Sequence, residues 1–263
     1  MYILLLGLFI LIITAIVFFY LYPVYWHELC LMTYLIYPKR FEQNMRIINR
    51  NYKNRILIIS YDNRPNLEFV KIHNSNINAY CSRWNIEYKF LTECTHNTYL
   101  CKIYIVLEAL RTNLYDYVIW MDTDIIINKP EIDLNTIINK YDSDIYIGTE
   151  LVNTSLCSGF FIIKNSIIGH ELLKDCILFF NEHRDICMNN SHQLNGRWGG
   201  ICYEQGALNY FIFKYNKYYD ATTILKRNII DNVSECHDES FMLHYCRTSA
   251  EKRAKCFKKL INI

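Results

Sequence analysis

Two aspartates one residue apart, Asp122 and Asp124, interrupt the otherwise apolar run YDYVIWMDTDIIINKP at residues 115–130. An ionised carboxylate in an apolar interior costs on the order of several kcal/mol unless it is paired, so these two need a counter-charge or an open crevice. Residues i and i+2 of a strand share a face, and where the chain turns at a strand end both side chains can converge on one cation. Hard divalent ions such as Mg²⁺ and Mn²⁺ take a few carboxylate oxygens and complete their shell with water and phosphate oxygens. A D-x-D closing an apolar strand therefore suits a metal that holds a diphosphate. A bare Asp pair is more often a turn; the apolar residues on both sides, 118–121 and 125–127, favour the metal. The rival chemistry is a phosphohydrolase whose first Asp attacks phosphorus. That pattern, D-x-D-x-T near the start of a domain, is disfavoured because Ile126 stands where Thr belongs and two strands come first.

The elements that must position the pair are legible upstream. RILIIS at 55–60 has strand length and is followed by the turn signal YDNRP. NLEFVKIHNSNINAYCSRW at 66–84 has helical spacing, IEYKFL at 86–91 is a second strand, and TYLCKIYIVLEALRTN at 98–113 is a second helix. DYVIWMD at 116–122 then forms the third strand. Strand, helix, strand, helix, strand predicts a parallel sheet with crossover helices. In such a sheet the ligand sits at the carboxyl ends of the strands, which is where Asp122 and Asp124 fall. Downstream, DIYIGT at 144–149, SGFFIIKN at 158–165 and SFMLHYC at 240–246 read as strands. SIIGHELLKDCILFFNEH at 166–183, opened by a Ser cap, and YEQGALNYFIFKY at 203–215 read as helices.

The chain has 263 residues, and residues 2–24 carry no charge at all. That is close to the ~20 residues that span a bilayer as a helix. With no basic residue ahead of it and no small-x-small cleavage site behind, the segment reads as a retained transmembrane anchor at 1–24 rather than a signal peptide. Residues 25–54 form a basic flanking segment, and 55–263 a single α/β domain without a linker or repeat. With 28 Lys and Arg against 26 Asp and Glu, there is no reason to expect a nucleic acid partner. The basic KRAKCFKK near the C-terminus reads as solvated or lipid-facing surface. Basic residues beyond the anchor favour a cytoplasmic domain by the charge rule, weakly, since only Lys39 and Arg40 lie close to it. The 11 cysteines show no C-x-x-C pair, which disfavours structural zinc, and whether they pair depends on the compartment. Sequons at Asn153, Asn189 and Asn232 are what an Asn-rich chain contains by chance.

The segments LIISYDNRP, KIYIVLEALRTNLYDYVIWMDTDIIINKP, CSGFFIIKNS, EQGALNYFI and FMLHYC resemble, in order and rough spacing, glycosyltransferase family 34. The resemblance covers most of the chain beyond residue 55 and implies a GT-A fold, a Rossmann-like nucleotide-sugar transferase domain behind its membrane anchor. It implies a metal-dependent enzyme, using Mn²⁺ or Mg²⁺, that moves a hexose or pentose from a UDP- or GDP-sugar to a glycan or glycoprotein with retention. By the resemblance, Asp122, Asp124 and His244 are the metal ligands, and Glu204 and Gln205 stand near the donor sugar. It also implies a Golgi or ER lumen location, against the charge rule. This chain departs from the family in having Glu204 for Asp, Cys157 and Ser158 for Asn or Thr, and Cys246 and Arg247 after the His-aromatic pair. The phosphate-binding cation then falls to Arg247, next to Lys252, with Lys102 a further candidate. Glu204 has two open roles, as a covalent nucleophile or as a stabiliser of an oxocarbenium-like state; its bland reading is an acidic first turn of a helix. Gly159 would let backbone approach the donor, Asp62 and Arg64 either touch the base or make a turn, and Trp120 and Phe160 read as core. A membrane-anchored, degenerate transferase domain serving as a scaffold is the alternative.

Overall fold

The computed structural model describes residues 53–261 apart from 97–98, 142, 151–154, 189–199, 201 and 237–238. The anchor at 1–24, nearly all of the flank, and the sequons at Asn153 and Asn189 lie outside the described residues. Among the described residues no helix is long and apolar enough to cross a membrane.

The chain runs β1 (Ile56–Tyr61), α1 (Glu68–Trp84), β2 (Glu87–Leu91), α2 (Cys101–Arg111) and β3 (Tyr117–Met121), as the periodicity predicts. It continues through β4 (Ile125–Ile127), α3 (Leu134–Lys140), β5 (Ile145–Thr149), β6 (Leu156–Lys164), α4 (Ile167–Glu182) and α5 (Arg184–Cys187). Then come α6 (Glu204–Lys214), α7 (Asn216–Asp220), β7 (Thr222–Ile224), β8 (Ile230–Asn232), β9 (Met242–His244) and α8 (Ala250–Ile261). The main sheet has the order β2, β1, β3, β6, β5, β7, and a small second sheet the order β4, β9, β8. β1 pairs in parallel with both β2 and β3, through crossovers α1 and α2.

The sheet is not parallel throughout, and this refines the expectation from the strand-helix alternation. β6 runs antiparallel to both β3 and β5, so it enters the sheet from the end at which β1 and β3 stop. Its residues 157–159 thereby arrive beside Asp122, whose backbone N–H donates to Gly159 O at 2.8 Å. Between β5 and β6 the register jumps: Ile147 faces Phe161 while Gly148 faces Cys157. Three residues of β6, Ser158 to Phe160, are left without a β5 partner.

Burial on both faces explains why β1 and β3 read as continuous apolar runs. Leu57, Ile59, Val118 and Trp120 pack under α2, α4 and α6, against Ile103, Leu107, Leu172 and Leu208. Ile56, Ile58, Ile119 and Met121 meet Ile77 and Tyr80 of α1, Leu134 of α3, and Met242 of β9 on the other face. Ser166 caps α4 by accepting from Gly169 N. The basic C-terminal stretch is helix α8, and it is not all surface: Phe257 packs with Phe69, Ile126, Leu243 and Tyr245 in a third cluster. Disulfides join Cys94 to Cys101, Cys187 to Cys202, and Cys236 to Cys256, the last tying α8 to the loop after β8.

Candidate functional site

Asp122 directly follows β3, and Asp124 precedes β4, so the chain crosses from the large sheet to the small one in the space of the D-x-D. β4 pairs with β9, setting Ile125 opposite His244. One ligand atom from each of Asp122, Asp124 and His244 lies within 4.8 Å of the others. His244 Nε2 is 3.0 Å from Asp124 Oδ1, yet that buried oxygen has no hydrogen-bond partner among the described residues. Asp124 Oδ2 pairs with Arg253 of α8 at 2.9 Å.

Gly159 stands against the imidazole. A Cβ there would lie 2.3 Å from Cε1 of His244, 2.8 Å from Nε2 and 2.9 Å from Nδ1. The glycine makes room for the histidine, which is a different use from the approach to a donor that the sequence suggests. Behind the ring, Cys157 Sγ is 3.5 Å from Nδ1.

A buried cation lies on the other side. Lys102 Nζ contacts Asp122 Oδ1 at 3.1 Å and Glu204 Oε1 at 3.0 Å, and donates to Ser158 O at 3.3 Å. Trp120 is core as expected, but its Nε1–H donates to Asp122 Oδ1 at 2.6 Å. Glu204 also accepts from Ser158 Oγ at 2.8 Å and is 2 % exposed. Gln205 is oriented from both ends: its amide N donates to Glu150 Oε1 at 2.8 Å, and its Oε1 accepts from Ser158 N at 3.1 Å. The β5–β6 register jump is what leaves that Ser158 N–H available to a side chain.

These contacts set the electrostatics. Burial alone would lower the His244 pKa, but the Asp124 carboxylate outweighs it and holds the ring well above its ordinary value. Burial would raise Asp124; the charges of His244 and then Arg253 drive it below the usual carboxylate range. Lys102 is likewise raised, since Asp122 and Glu204 outweigh its desolvation. Two carboxylates, one of them carrying a buried oxygen that accepts no hydrogen bond, and an imidazole form the donor set a hard or borderline divalent ion takes.

Two cavities meet at this wall. One, of about 240 Å³, is lined by Tyr61, Asp62, Arg64, Tyr99, Lys102 and Trp120 together with Asp122, Asp124 and Arg253. The other, of about 580 Å³, is lined by Cys157, Ser158, Gly159, Gln205, His244 and Arg247, again with Asp122, Asp124 and Arg253. In the first, Asp62 is held bidentately by Arg64, at 2.9 and 3.0 Å, and accepts from Thr123 Oγ at 2.8 Å. Asp62 thus makes the turn and also lines a cavity.

The structure brings together Asp62, Lys102, Asp122, Asp124, Gly159, Gln205, His244 and Arg247. Arg247 has the left-handed backbone of φ 59°. Two residues fall outside the cavity walls. Glu204 lies behind Lys102: Lys102 and Ser158 both meet its Oε1, its buried Oε2 has no hydrogen-bond partner among the described residues, and it lines neither of these two cavities. Lys252 points the other way along α8 and pairs with Glu235 at 2.6 Å. Its neighbour Arg253 is the α8 residue that reaches the site, and the sequence reading missed it. The signal available was the apolar spacing of Ala254, Phe257 and Ile261, which marks an amphipathic helix with one packed face.

No sequence family matches the chain, and no curated protein does. Solved structures do. A glycosyltransferase involved in the glycosylation of the major capsid of PBCV-1 aligns over 78% of this chain and 99% of its own, at 14% identity and a TM-score of 0.61. The bifunctional glycosyltransferase WbbM aligns over 82% of this chain, which spans about half (51%) of WbbM, at 11% identity and a TM-score of 0.51. The fold is therefore a mixed α/β, parallel-rich glycosyltransferase fold of GT-A type, with a possible Asp-x-Asp-His metal site at the carboxyl ends of β1 and β3.

Proposed function

We propose that the chain is a metal-dependent glycosyltransferase that moves a hexose or pentose from a nucleotide-diphosphate sugar to a glycan or glycoprotein acceptor, with retention. The observation that carries this reading is the position of the Asp122, Asp124 and His244 cluster at the wall shared by two cavities. A diphosphate lying across that wall would have its nucleoside in the cavity of Asp62, Arg64 and Tyr99, and its sugar in the cavity of Gln205. Asp122, Asp124 and His244 would hold Mn²⁺ or Mg²⁺. The bound ion would supply charge stabilisation for the departing nucleoside diphosphate.

The chain's own residues do the rest. Arg253 and Arg247 present guanidinium groups to the leaving phosphates, and such groups bond phosphate oxygens in charge-assisted pairs. Burial raises the Asp122 pKa; Lys102 opposes that shift and aims the carboxylate, and Glu204 serves by holding Lys102 rather than by attacking the sugar. Gln205, fixed by Glu150 and Ser158, offers a preoriented amide to a sugar hydroxyl. The segment 1–24 is proposed to anchor the domain. The three disulfides among the described residues favour an oxidising, lumen-type side of the membrane over the cytosolic one.

The test is donor hydrolysis and nucleotide binding by the purified domain, with a panel of UDP- and GDP-sugars, with and without Mn²⁺. Turnover of one donor, metal-dependent and abolished by Asp124→Ala, is the expected result. If no donor is bound or turned over, and Asp124→Ala leaves metal affinity unchanged, the scaffold reading replaces this one.

A further inference from the structure

The sequon at Asn232 is not a surface feature. Asn232 is the last residue of β8, 4 % exposed, and is paired in register with His244 of β9. Its side-chain amide N donates to Thr149 O at the end of β5. That bond fixes the amide's orientation, because the NH₂ end is committed to a carbonyl and the oxygen must face the other way. The oxygen faces Cys157, whose Sγ donates to it at 3.6 Å. With its proton so committed, the sulfur is left as an acceptor, and the group it meets is Nδ1 of His244 at 3.5 Å.

We propose that Asn232 and Cys157 are positioning residues that set which nitrogen of His244 serves a metal. The polarity runs one way along the relay: Asn232 N–H to Thr149 O, Cys157 S–H to Asn232 Oδ1, His244 Nδ1–H to Cys157 Sγ. A metal taking the place of the proton that Asp124 favours on Nε2 leaves a ring that donates from Nδ1 and offers its Nε2 lone pair, on the atom that lies 3.0 Å from Asp124 Oδ1 and within reach of both carboxylates. A hydrogen bond on the distal nitrogen is the usual means by which a protein fixes the tautomer and orientation of a metal-binding histidine. Here a buried thiol performs that role, and an Asn that falls in a chance sequon is its support.

This inference rests on the metal reading above, and its test reads metal binding rather than turnover. Affinities of Mn²⁺ and Mg²⁺ for the full chain are measured by calorimetry for the unsubstituted protein, Cys157→Ala, Asn232→Leu and Cys157→Ser, with thermal unfolding alongside. Imidazole nitrogen suits Mn²⁺ better than Mg²⁺, so loss of a correctly turned histidine should lower Mn²⁺ affinity the more. Cys157→Ala and Asn232→Leu are each expected to weaken Mn²⁺ binding by about 10-fold or more, with a smaller change for Mg²⁺. Cys157→Ser, whose hydroxyl both donates and accepts, should restore most of the loss. The relay is overturned if Cys157→Ala binds Mn²⁺ as tightly as the unsubstituted chain, if Mn²⁺ and Mg²⁺ weaken equally, or if serine does no better than alanine. Should Cys157→Ala not fold, the comparison of Asn232→Leu with Cys157→Ser decides it by the same ratio. An unsubstituted protein that binds no Mn²⁺ removes the metal reading and this inference together, whereas intact Mn²⁺ binding with unaffected variants removes only the inference.

Discussion

Replacing Gly159 by Ala adds one carbon to the most crowded point of the site. The new Cβ would lie 2.3 Å from Cε1 of His244, with both ring nitrogens within 2.9 Å. Non-bonded carbons settle at about 3.5–4.0 Å, so the imidazole must retreat by about 1.2 Å or more. The site of retreat is filled, since Cys157 and the β8 strand back the ring. Metal–ligand distances tolerate only about 0.2 Å, so His244 leaves the ligand set. The backbone at Gly159 is ordinary strand, where Ala costs nothing in φ and gains about 0.5–1 kcal/mol in chain entropy. Overpacking against the buried ring costs about 1–3 kcal/mol, more than that gain, so Gly159→Ala is expected to fold with a modestly lowered melting midpoint, while Mn²⁺ affinity falls at least ~10-fold and donor hydrolysis about 100-fold. Calorimetry and a donor-hydrolysis assay measure the two losses. In a His244→Ala background the same substitution should cost almost nothing more, because the clash has no ring to meet. Unchanged Mn²⁺ affinity in Gly159→Ala, or full additivity with His244→Ala, would refute the reasoning.

Three other outcomes are expected. His73 is fully buried, bonded to Ile125 O at 2.7 Å and Ser60 Oγ at 2.9 Å, and burial pushes its pKa from the ordinary 6.5 down to about 4. The unfolded chain then binds the extra proton in that window, so stability falls as pH drops from 6.5 toward 4. The loss is about 3 kcal/mol in all, and urea unfolding at several pH values should show a slope that His73→Leu removes. Arg253→Ala takes a cation from the shared wall while freeing Asp124. UDP or GDP binding, read by calorimetry with Mn²⁺ present, should weaken about tenfold, whereas a drop in Mn²⁺ affinity measured alone would contradict the assignment. Removing the Cys236–Cys256 bridge, by Ser at both positions, opens a loop with a sequence separation of 20. It should cost about 3 kcal/mol of stability in thermal or urea unfolding, and donor affinity should fall with it because Arg253 lies on the freed helix.

Much of this arrangement is written in local patterns. The apolar residues ahead of Asp122 mark a strand buried on both faces, and Ser166 marks a helix start, because each signal is carried by neighbours in sequence. Direction and depth are not local. Nothing in SGFFIIKN says that β6 runs against β3, yet that direction is what brings Cys157, Ser158 and Gly159 to the carboxylates. Ile125 to Ile127 carry no sign of leaving one sheet for another, since their partner is His244 and its neighbours, more than a hundred residues on. Glu204 and Gln205 are adjacent and equally plausible near a sugar; the turn of α6 separates them, one toward Lys102 and one toward the cavity. In α8 the charges that suggested a solvated surface hide a single arginine on the packed face. That distinction requires knowing which helix face meets α1.

The register jump between β5 and β6 has a consequence for how this protein can change. Three consecutive residues freed there meet three different demands: Ser158 holds Glu204 and Gln205, Gly159 clears the imidazole and receives the Asp122 amide, and Phe160 returns to the core. Because neighbouring strand residues point to opposite sides, inserting or deleting one residue in this stretch would exchange all three duties at once. Substitutions can be sampled there one at a time; changes of length cannot. Variation in the length of the chain should therefore be accommodated elsewhere, while the spacing from Cys157 to Phe160 stays constant in any descendant that keeps the activity.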